Sequence, residues 1–182
     1  MADESIQRAI EALSIVDVFP RSLSVTVSDD FDQKYGEEPV RVQWRHGLRQ
    51  VTILEVKSGE AADSEDIPIV HFTFETGLRY LTGETEDQEE VSESIVCAEI
   101  LADIRAEYRL TNSIDEPSLE AFGSQNALFH IWPYWREIVQ SLSARFRLPA
   151  FALPMYQHPK TNGEDGTVEG EFGDTHTRGQ PK

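Results

Sequence analysis

The sequence of 182 residues carries 33 acidic and 16 basic side chains, so its formal net charge at pH 7 is −17. This length fits one domain, with or without tails. The excess of negative charge repels the phosphate backbone of nucleic acids and the anionic surface of membranes. We therefore exclude nucleic-acid binding and membrane insertion, and we expect a soluble protein.

Cysteine use and the N-terminus indicate the compartment. Cys97 is the only cysteine, so the chain forms no internal disulfide and no cysteine-based zinc site. The acidic start, Met1–Ser5, lacks the basic residues and the continuous apolar segment of a secretory signal. No apolar run approaches the roughly 18 residues of a membrane span. We expect a cytoplasmic protein.

Helical spacing of the apolar residues changes to strand alternation early in the chain. Ile6, Ile10 and Leu13 predict a short amphipathic helix over residues 3–13. Pro20 follows in a run with strand alternation, which indicates either a break or an edge strand. In all, alternation predicts four long strands, over residues 15–27, 40–56, 70–80 and 96–110.

The last predicted strand has the cleanest alternation. From Val96 to Leu110 every second side chain is apolar, and most of those between are charged. A strand with one apolar and one polar face is typical of an antiparallel sheet that buries one side. Ala98, Ala102 and Ala106 lie on the apolar face and are small, so another element can approach the sheet closely there.

A helix near the C-terminus is the candidate for that approach. Pro133 fits the first turn of this helix, and Pro149 ends it because the residue before a proline avoids helical geometry. Its apolar stripe consists of Ile131, Trp135, Ile138, Val139, Leu142 and Phe146. The predicted fold is α+β: a four-stranded antiparallel sheet with a long C-terminal helix packed on it and a short N-terminal helix.

The composition changes after residue 156. Residues 157–182 are rich in Gly, Pro, Thr and acidic residues and poor in apolar ones. Such a segment cannot bury enough surface to offset its chain entropy, so we predict a disordered tail. Residues 1–156 are predicted to form a single domain.

No motif in the sequence indicates catalysis. The histidines, at positions 46, 71, 130, 158 and 176, show no metal-ligand spacing, and no phosphate-binding loop or nucleophile motif occurs. Cys97 lies within a predicted strand, away from any feature that would favour its thiolate. We predict that the protein is not an enzyme and has no catalytic residues, no metal and no cofactor.

Aromatic residues are dense around the predicted helix start. Phe122, Phe129, Trp132, Tyr134 and Trp135 fall within fourteen positions. Trp135 lies on the apolar stripe and is expected in the core. Its neighbours Trp132 and Tyr134 point in other directions on a helix, so the three rings cannot all face one sheet. We expect surplus rings to face a partner subunit or a groove, as apolar recognition requires.

The segment Ile131–Glu137 resembles the LFPYARE element that opens the long helix of SecB-type export chaperones. The similarity continues through Ser141, Arg145, Pro149 and Leu153, in a segment similar to that family's I-T-S-M-V-S-R-x-x-F-P-x-L-x-L. Upstream, the four-strand pattern resembles the family by order alone. The resemblance covers about residues 13–156, and residue-level matches are confined to about residues 126–153.

The resemblance implies a chaperone without catalytic activity. SecB-like proteins form tetramers, as dimers of dimers, hold unfolded clients on apolar surface and can pass preproteins to the translocase motor SecA. We therefore expect a homotetramer with unfolded polypeptides as clients. The candidate client-binding residues are Trp44, Phe72, Phe122, Phe129, Trp132 and Tyr134.

Two departures from the family pattern bear on the partner. The chain after Leu153 runs into the tail where the family has a further apolar helix, and Ser22 and Thr26 stand where the first strand carries acidic SecA-contacting residues. The extra N-terminal helix and the missing C-terminal helix are more similar to SecB-like chaperones that protect an antitoxin. SecA and an antitoxin both stay open as partners.

Two other classes of protein compete with this interpretation. One is a dedicated acidic secretion chaperone, which would bind a single effector and ignore other unfolded clients. The other is a small enzyme whose active site is dispersed along the sequence.

Overall fold

A computed structural model describes residues 2–34, 40–57, 66–82, 96–156 and 170–172. The elements in chain order are α1 (Ala2–Ala12), β1 (Leu13–Val27), β2 (Val40–Lys57), β3 (Asp66–Thr82), β4 (Val96–Leu110), α2 (Glu116–Phe122), a π-helical turn (Gly123–Ala127), α3 (Leu128–Arg145) and β5 (Gly170–Phe172). The predicted α+β fold is confirmed.

The strands form one antiparallel sheet in the order β1-β4-β3-β2-β5. The hairpin of β2 and β3 pairs Val40 with Thr82 at one end and Lys57 with Asp66 at the other. β1 is an edge strand, and its register shifts beside Pro20, so this proline removes no hydrogen bond from the interior of the sheet. Of the two alternatives for Pro20, a break or an edge strand, the structure has the edge strand.

One face of the sheet carries the core. The even-numbered side chains from Val70 to Tyr80 on β3 and from Ala98 to Tyr108 on β4 are buried, in agreement with the alternation. Thr76 joins them by donating its hydroxyl to the carbonyl of Ala102 at 2.9 Å. The three alanines of β4 lie in one cluster with Ile131 and Trp135 of α3. The predicted approach of the helix to this face is confirmed.

The opposite face of the sheet is polar. Ion pairs link neighbouring strands there, with Arg45 to Glu75 at 2.7 Å and Arg79 to Glu99 at 2.6 Å. His71 on β3 contacts Glu107 on β4 at 2.9 Å. The exposed arginine–glutamate pairs contribute little to stability. His71 is buried, as are Ile69 and Thr73 on the same face of β3, so this face carries charges but is only partly exposed.

The long helix begins earlier than predicted. Helical structure starts at Glu116, where the Asp115 carboxylate accepts from the backbone N–H of Ser118 at 2.8 Å and Pro117 occupies the first turn. It continues through the π-helical turn into α3, so Pro133 lies inside the helix and the predicted start there is wrong. The apolar stripe of α3 did not predict this start, because the start is marked by the N-cap residue Asp115 and by Pro117 in the first turn.

The helix ends where it was expected, by a different mechanism. Arg147 has a positive φ of 54°, and the N–H of Leu148 donates to the carbonyl of Ser143 at 2.9 Å. This is a Schellman motif with arginine at the position that glycine usually occupies. The motif turns the chain back towards the sheet, where Leu148 and Leu153 are buried.

Two other expectations are modified by the structure. α1 buries Ala9 and Ala12, whereas Ile10, predicted on its apolar face, is exposed. Within the predicted tail, β5 pairs with β2, whereas residues 157–169 and 173–182 lie outside the described residues. The extent of the domain, residues 1–156, stays a prediction.

The π-helical turn touches the sheet at Gly123. A Cβ there would lie 2.9 Å from Leu48 and 3.0 Å from Phe72, closer than real side chains approach. We predict that Gly123→Ala lowers the free energy of unfolding by about 1–3 kcal/mol, because the helix must move off the sheet. Urea unfolding followed by circular dichroism measures this change.

Gly47→Ala is the matched control, because a Cβ at Gly47 meets nothing within 4 Å. This control should leave the midpoint of unfolding unchanged or slightly raised. Equal stabilities of the two variants would contradict the close contact at Gly123.

Candidate functional site

The structure separates the predicted client-binding residues into two groups. Phe129 and Tyr134 are 50% and 45% exposed, as the surplus-ring interpretation requires. The other members are buried within the subunit, and the expectation that they are surface rings is wrong for the isolated chain: Trp44, Phe72, Phe122 and Trp132. The reason is the earlier helix start, which lays more of the helical segment over the sheet.

An aromatic cluster forms where β2 meets α3. Trp44 and His46, two positions apart on β2, stack with their ring centroids 5.8 Å apart. The ring of Trp132 meets both edge-on, with centroids 5.5 and 5.4 Å away. Tyr156 closes the cluster at 5.7 Å from Trp132 and 6.3 Å from His46. Four rings therefore lie together at the β5 side of the sheet.

The segment after α3 places Tyr156 in this cluster. The hydroxyl of Tyr80 contacts the Ser143 hydroxyl at 2.7 Å and donates to the Pro149 carbonyl at 3.2 Å, which ties the turn to β3. Further along, the indole N–H of Trp132 donates to the Pro154 carbonyl at 2.8 Å. These hydrogen bonds hold the segment alongside the helix.

Burial affects two polar groups in the cluster. The indole Nε1 of Trp44 is buried without a hydrogen-bond partner among the described residues. Burial lowers the pKa of His46 to about 4, so its ring is neutral at pH 7. The cluster is therefore apolar in character, with one unsatisfied donor.

A second group of rings supports the helix over β3 and β4. Phe72, Tyr108 and Phe122 pack with centroids 5.2–5.5 Å apart. The Tyr108 hydroxyl hydrogen-bonds with Nδ1 of His130 at 2.8 Å, and burial raises the pKa of Tyr108 and lowers that of His130. These contacts explain why Phe72 and Phe122 are core residues.

Large apolar side chains remain exposed on three parts of the molecule: the edge strand β1, the distal half of β2, and the helices with the segment that follows. Their exposed fractions range from 36% to 71%. They are Ile15, Val16 and Leu23; Val51, Ile53, Leu54 and Val56; and Ile10, Phe129, Tyr134, Phe146 and Met155.

The titratable side chains of the described residues were predicted to form neither a catalytic nor a metal site. No group of three or more His, Cys, Asp or Glu side chains is placed to hold a metal ion in this part of the chain. Cys97 is buried and donates its thiol to the Tyr80 carbonyl at 3.0 Å, and burial raises its pKa to about 11. That thiol is not a nucleophile at neutral pH. His158 and His176 lie outside the described residues.

None of the helices in the described part of the chain is both long enough and apolar enough to cross a membrane.

The antiparallel sheet with a long helix packed on one face and a short N-terminal helix is the fold of SecB-like chaperones. A solved structure with this fold is the SecB-like chaperone Rv1957 of Mycobacterium tuberculosis, in complex with a ChAD peptide from the HigA1 antitoxin. The TM-score is 0.59 at 17% sequence identity, over 86% of this chain and 99% of that chain. No protein-family model and no curated protein matches the sequence.

Sequence reasoning missed His46 and Tyr156 as members of the aromatic cluster. The alternation of β2 carries a signal for His46, because it shares a face with Trp44. No local signal exists for Tyr156, whose place depends on the turn at Arg147 and on the contacts of Pro149 and Pro154.

The low pKa of His46 gives a prediction about stability and pH. The unfolded chain protonates His46 near pH 6.5 and the folded chain only near 4, so stability is lost as the pH falls through this interval. Between pH 7.5 and pH 5, this side chain should lower the free energy of unfolding by about 2 kcal/mol. The variant His46→Phe keeps a ring in the cluster and should lack this loss.

Urea unfolding of both proteins at several pH values in this range measures the difference. The carboxylates are the same in both proteins, so their contribution to the pH dependence of the free energy of unfolding cancels in the comparison. Parallel stability curves for the two proteins would show that His46 is not desolvated.

Proposed function

We propose that the protein is a SecB-like holdase that binds unfolded polypeptides and keeps them from folding and aggregating. The observation that carries this proposal is the number of large apolar side chains exposed on the folded subunit, on β1, on the distal half of β2 and along α3. Monomeric soluble proteins rarely expose large contiguous apolar patches, and such patches mark interaction sites. The net charge of −17 keeps a protein with this surface in solution.

The first contacts of a client are assigned to Phe129 and Tyr134. Both rings are about half exposed on a helix that the sheet supports, so little conformational entropy is lost when a client binds. Trp44 and Trp132 lie in the neighbouring aromatic cluster, and Phe72 and Phe122 form the layer beneath the helix. Each contact contributes little, and several contacts along one flexible chain add up by effective concentration.

Holding requires no chemical step. A protein that binds the unfolded state of a client shifts that client away from folding by mass action. The proposal therefore assigns no catalytic residue and no cofactor, and it places the protein in the cytoplasm, where newly made chains are unfolded.

The choice of client is between preproteins destined for SecA and a dedicated antitoxin. The antitoxin is favoured by one observation: the Rv1957 chaperone, which shares the fold over 99% of its length, was solved with an antitoxin peptide bound. A dedicated chaperone of this kind is also the partner-specific alternative, in which one client is protected and others are ignored.

We further propose a homotetramer, formed as a dimer of dimers. The support is β1, where Ile15 and Leu23 pair with Tyr108 and Ala102 of the core face and thus lie on that same face of the sheet. Yet both are exposed, at 46% and 48%, although α3 packs against β1 and Val18 of the same strand is buried. Side chains with a core pattern and no cover within the subunit are typical of subunit interfaces.

The holdase activity is tested by aggregation of chemically denatured proteins, followed by light scattering without ATP. The wild-type protein should suppress aggregation of its client at stoichiometric ratios. The double variant Phe129→Ala, Tyr134→Ala should bind the client about tenfold more weakly, a loss of roughly 1.4 kcal/mol, because two exposed rings are removed.

The control is Glu137→Ala, Gln140→Ala, which removes two exposed polar side chains from the same helix. This control should bind like the wild type. Suppression of aggregation for several unrelated proteins would assign a general holdase, and suppression for one would assign the dedicated chaperone. Absence of suppression for all of them, a candidate antitoxin included, would refute the holdase.

The oligomer is tested by light scattering coupled to size exclusion. Leu23→Lys should reduce the mass of the wild-type assembly to that of a smaller species, because it places a charge within the proposed interface. Ser24→Lys, one residue further on the same strand, is the control and should keep the wild-type mass. A monomeric wild-type protein at micromolar concentration would contradict the tetramer.

A further inference from the structure

Three residues of the C-terminal region lie on the outer edge of β2. Gly170–Phe172 pair antiparallel with Val42–Trp44, with Phe172 opposite Val42 and Gly170 opposite Trp44. These residues belong to a stretch whose composition predicts no regular structure, so local propensity does not explain this strand. The edge of β2 explains it, because unpaired backbone N–H and C=O groups are a template for any extended chain.

The paired part of β2 carries the aromatic cluster. Trp44, which is opposite Gly170, contacts the rings of His46 and Trp132. Its buried indole N–H has no acceptor among the described residues. An extended chain on this edge therefore pairs with the backbone directly beside the aromatic cluster.

The chain reaches this edge from nearby. Tyr156 contacts His46, and Gly170 pairs with Trp44. Both contacts are with β2, at positions two residues apart on that strand. Residues 157–169 connect these two points. A connection of this length holds β5 at an effective concentration of the order of millimolar, which favours pairing of even a short strand.

We propose that the edge of β2 at Val42–Trp44 is a strand-addition site for an extended segment of the client, and that β5 is its intramolecular competitor. This inference rests on the chaperone function proposed above and names the mode of binding. Backbone pairing accepts almost any sequence, and the rings beside the edge select apolar segments. β5 thus keeps the edge covered until a client replaces it.

The shortness of β5 suits this role. Within the described residues three residue pairs hold it, so an incoming segment that pairs over a longer stretch of β2 displaces it at small cost. The apparent dissociation constant of a client equals its intrinsic value divided by the fraction of molecules with an open edge. Removal of β5 should therefore tighten client binding, by about tenfold if about one molecule in ten is open.

The test uses the full-length protein with two prolines in β5. Glu171→Pro, Phe172→Pro removes two adjacent N–H donors, and proline is incompatible with a paired strand. Thr177→Pro, Arg178→Pro places the same two prolines in the same C-terminal stretch outside β5 and is the control. The probe is a fluorescently labelled, reduced and carboxymethylated protein that stays unfolded, and anisotropy gives its dissociation constant.

The β5 variant should bind the probe about tenfold more tightly than the wild type, and the control should bind like the wild type. Equal or weaker binding by the β5 variant overturns the inference. Tighter binding by both proline variants also overturns it, because the effect would then come from the C-terminal stretch as a whole.

Hydrogen exchange gives a second readout. Saturating probe should speed the exchange of amides at residues 170–172 in the wild type, while the amides of Val42–Trp44 stay protected by the incoming strand. Probe binding with unchanged exchange at residues 170–172 overturns the inference and leaves the holdase standing. Failure of every variant to bind the probe refutes general holding itself, which separates the two failures.

Discussion

The close packing of the long helix on one face of the sheet is the contact on which the rest of the structure depends. It is possible because small residues lie at the points of contact, with Ala102 and Ala106 on β4 and Gly123 in the π-helical turn. α3 packs on β4, β1 and β3, and the π-helical turn packs on β2. Part of β1 and the distal half of β2 keep exposed apolar side chains, so the placement of the helix decides where apolar surface remains.

The division between buried and exposed apolar side chains explains how one subunit can have a well-packed core and still expose apolar side chains for binding. A helix covers only part of a sheet whose four long strands have 15–18 residues each. The alternation of apolar residues continues beyond the covered area. The remaining apolar side chains of β1 suit a subunit interface, and the exposed rings of α3 suit a client. The net charge of −17 opposes aggregation of a protein with such exposed apolar side chains.

The strand-addition site that we propose at the β2 edge would add a second kind of recognition. Rings and aliphatic side chains give affinity for apolar segments, and an open strand edge gives backbone hydrogen bonds that are independent of sequence. The placement of Trp44 on the edge strand and Trp132 on the helix brings both kinds together. A chaperone that accepts many sequences needs this combination, because side-chain contacts alone would favour a few clients.

The sequence by itself determined the four long strands, the buried face of β4 and the presence of an N-terminal and a C-terminal helix, because alternation and helical spacing depend only on neighbours along the chain. It left Pro20 open between a break and an edge strand, and it misplaced the start of the long helix. It also predicted that the rings near α3 could not all share one face, and Tyr134 is exposed while Trp135 is buried. Only the tertiary structure decided that Phe72, Phe122 and Trp132 are core, because burial depends on where the helix begins and how closely Gly123 lets it approach. The positions of Tyr156 and β5 were likewise decided there, since each is held by contacts with residues distant in sequence.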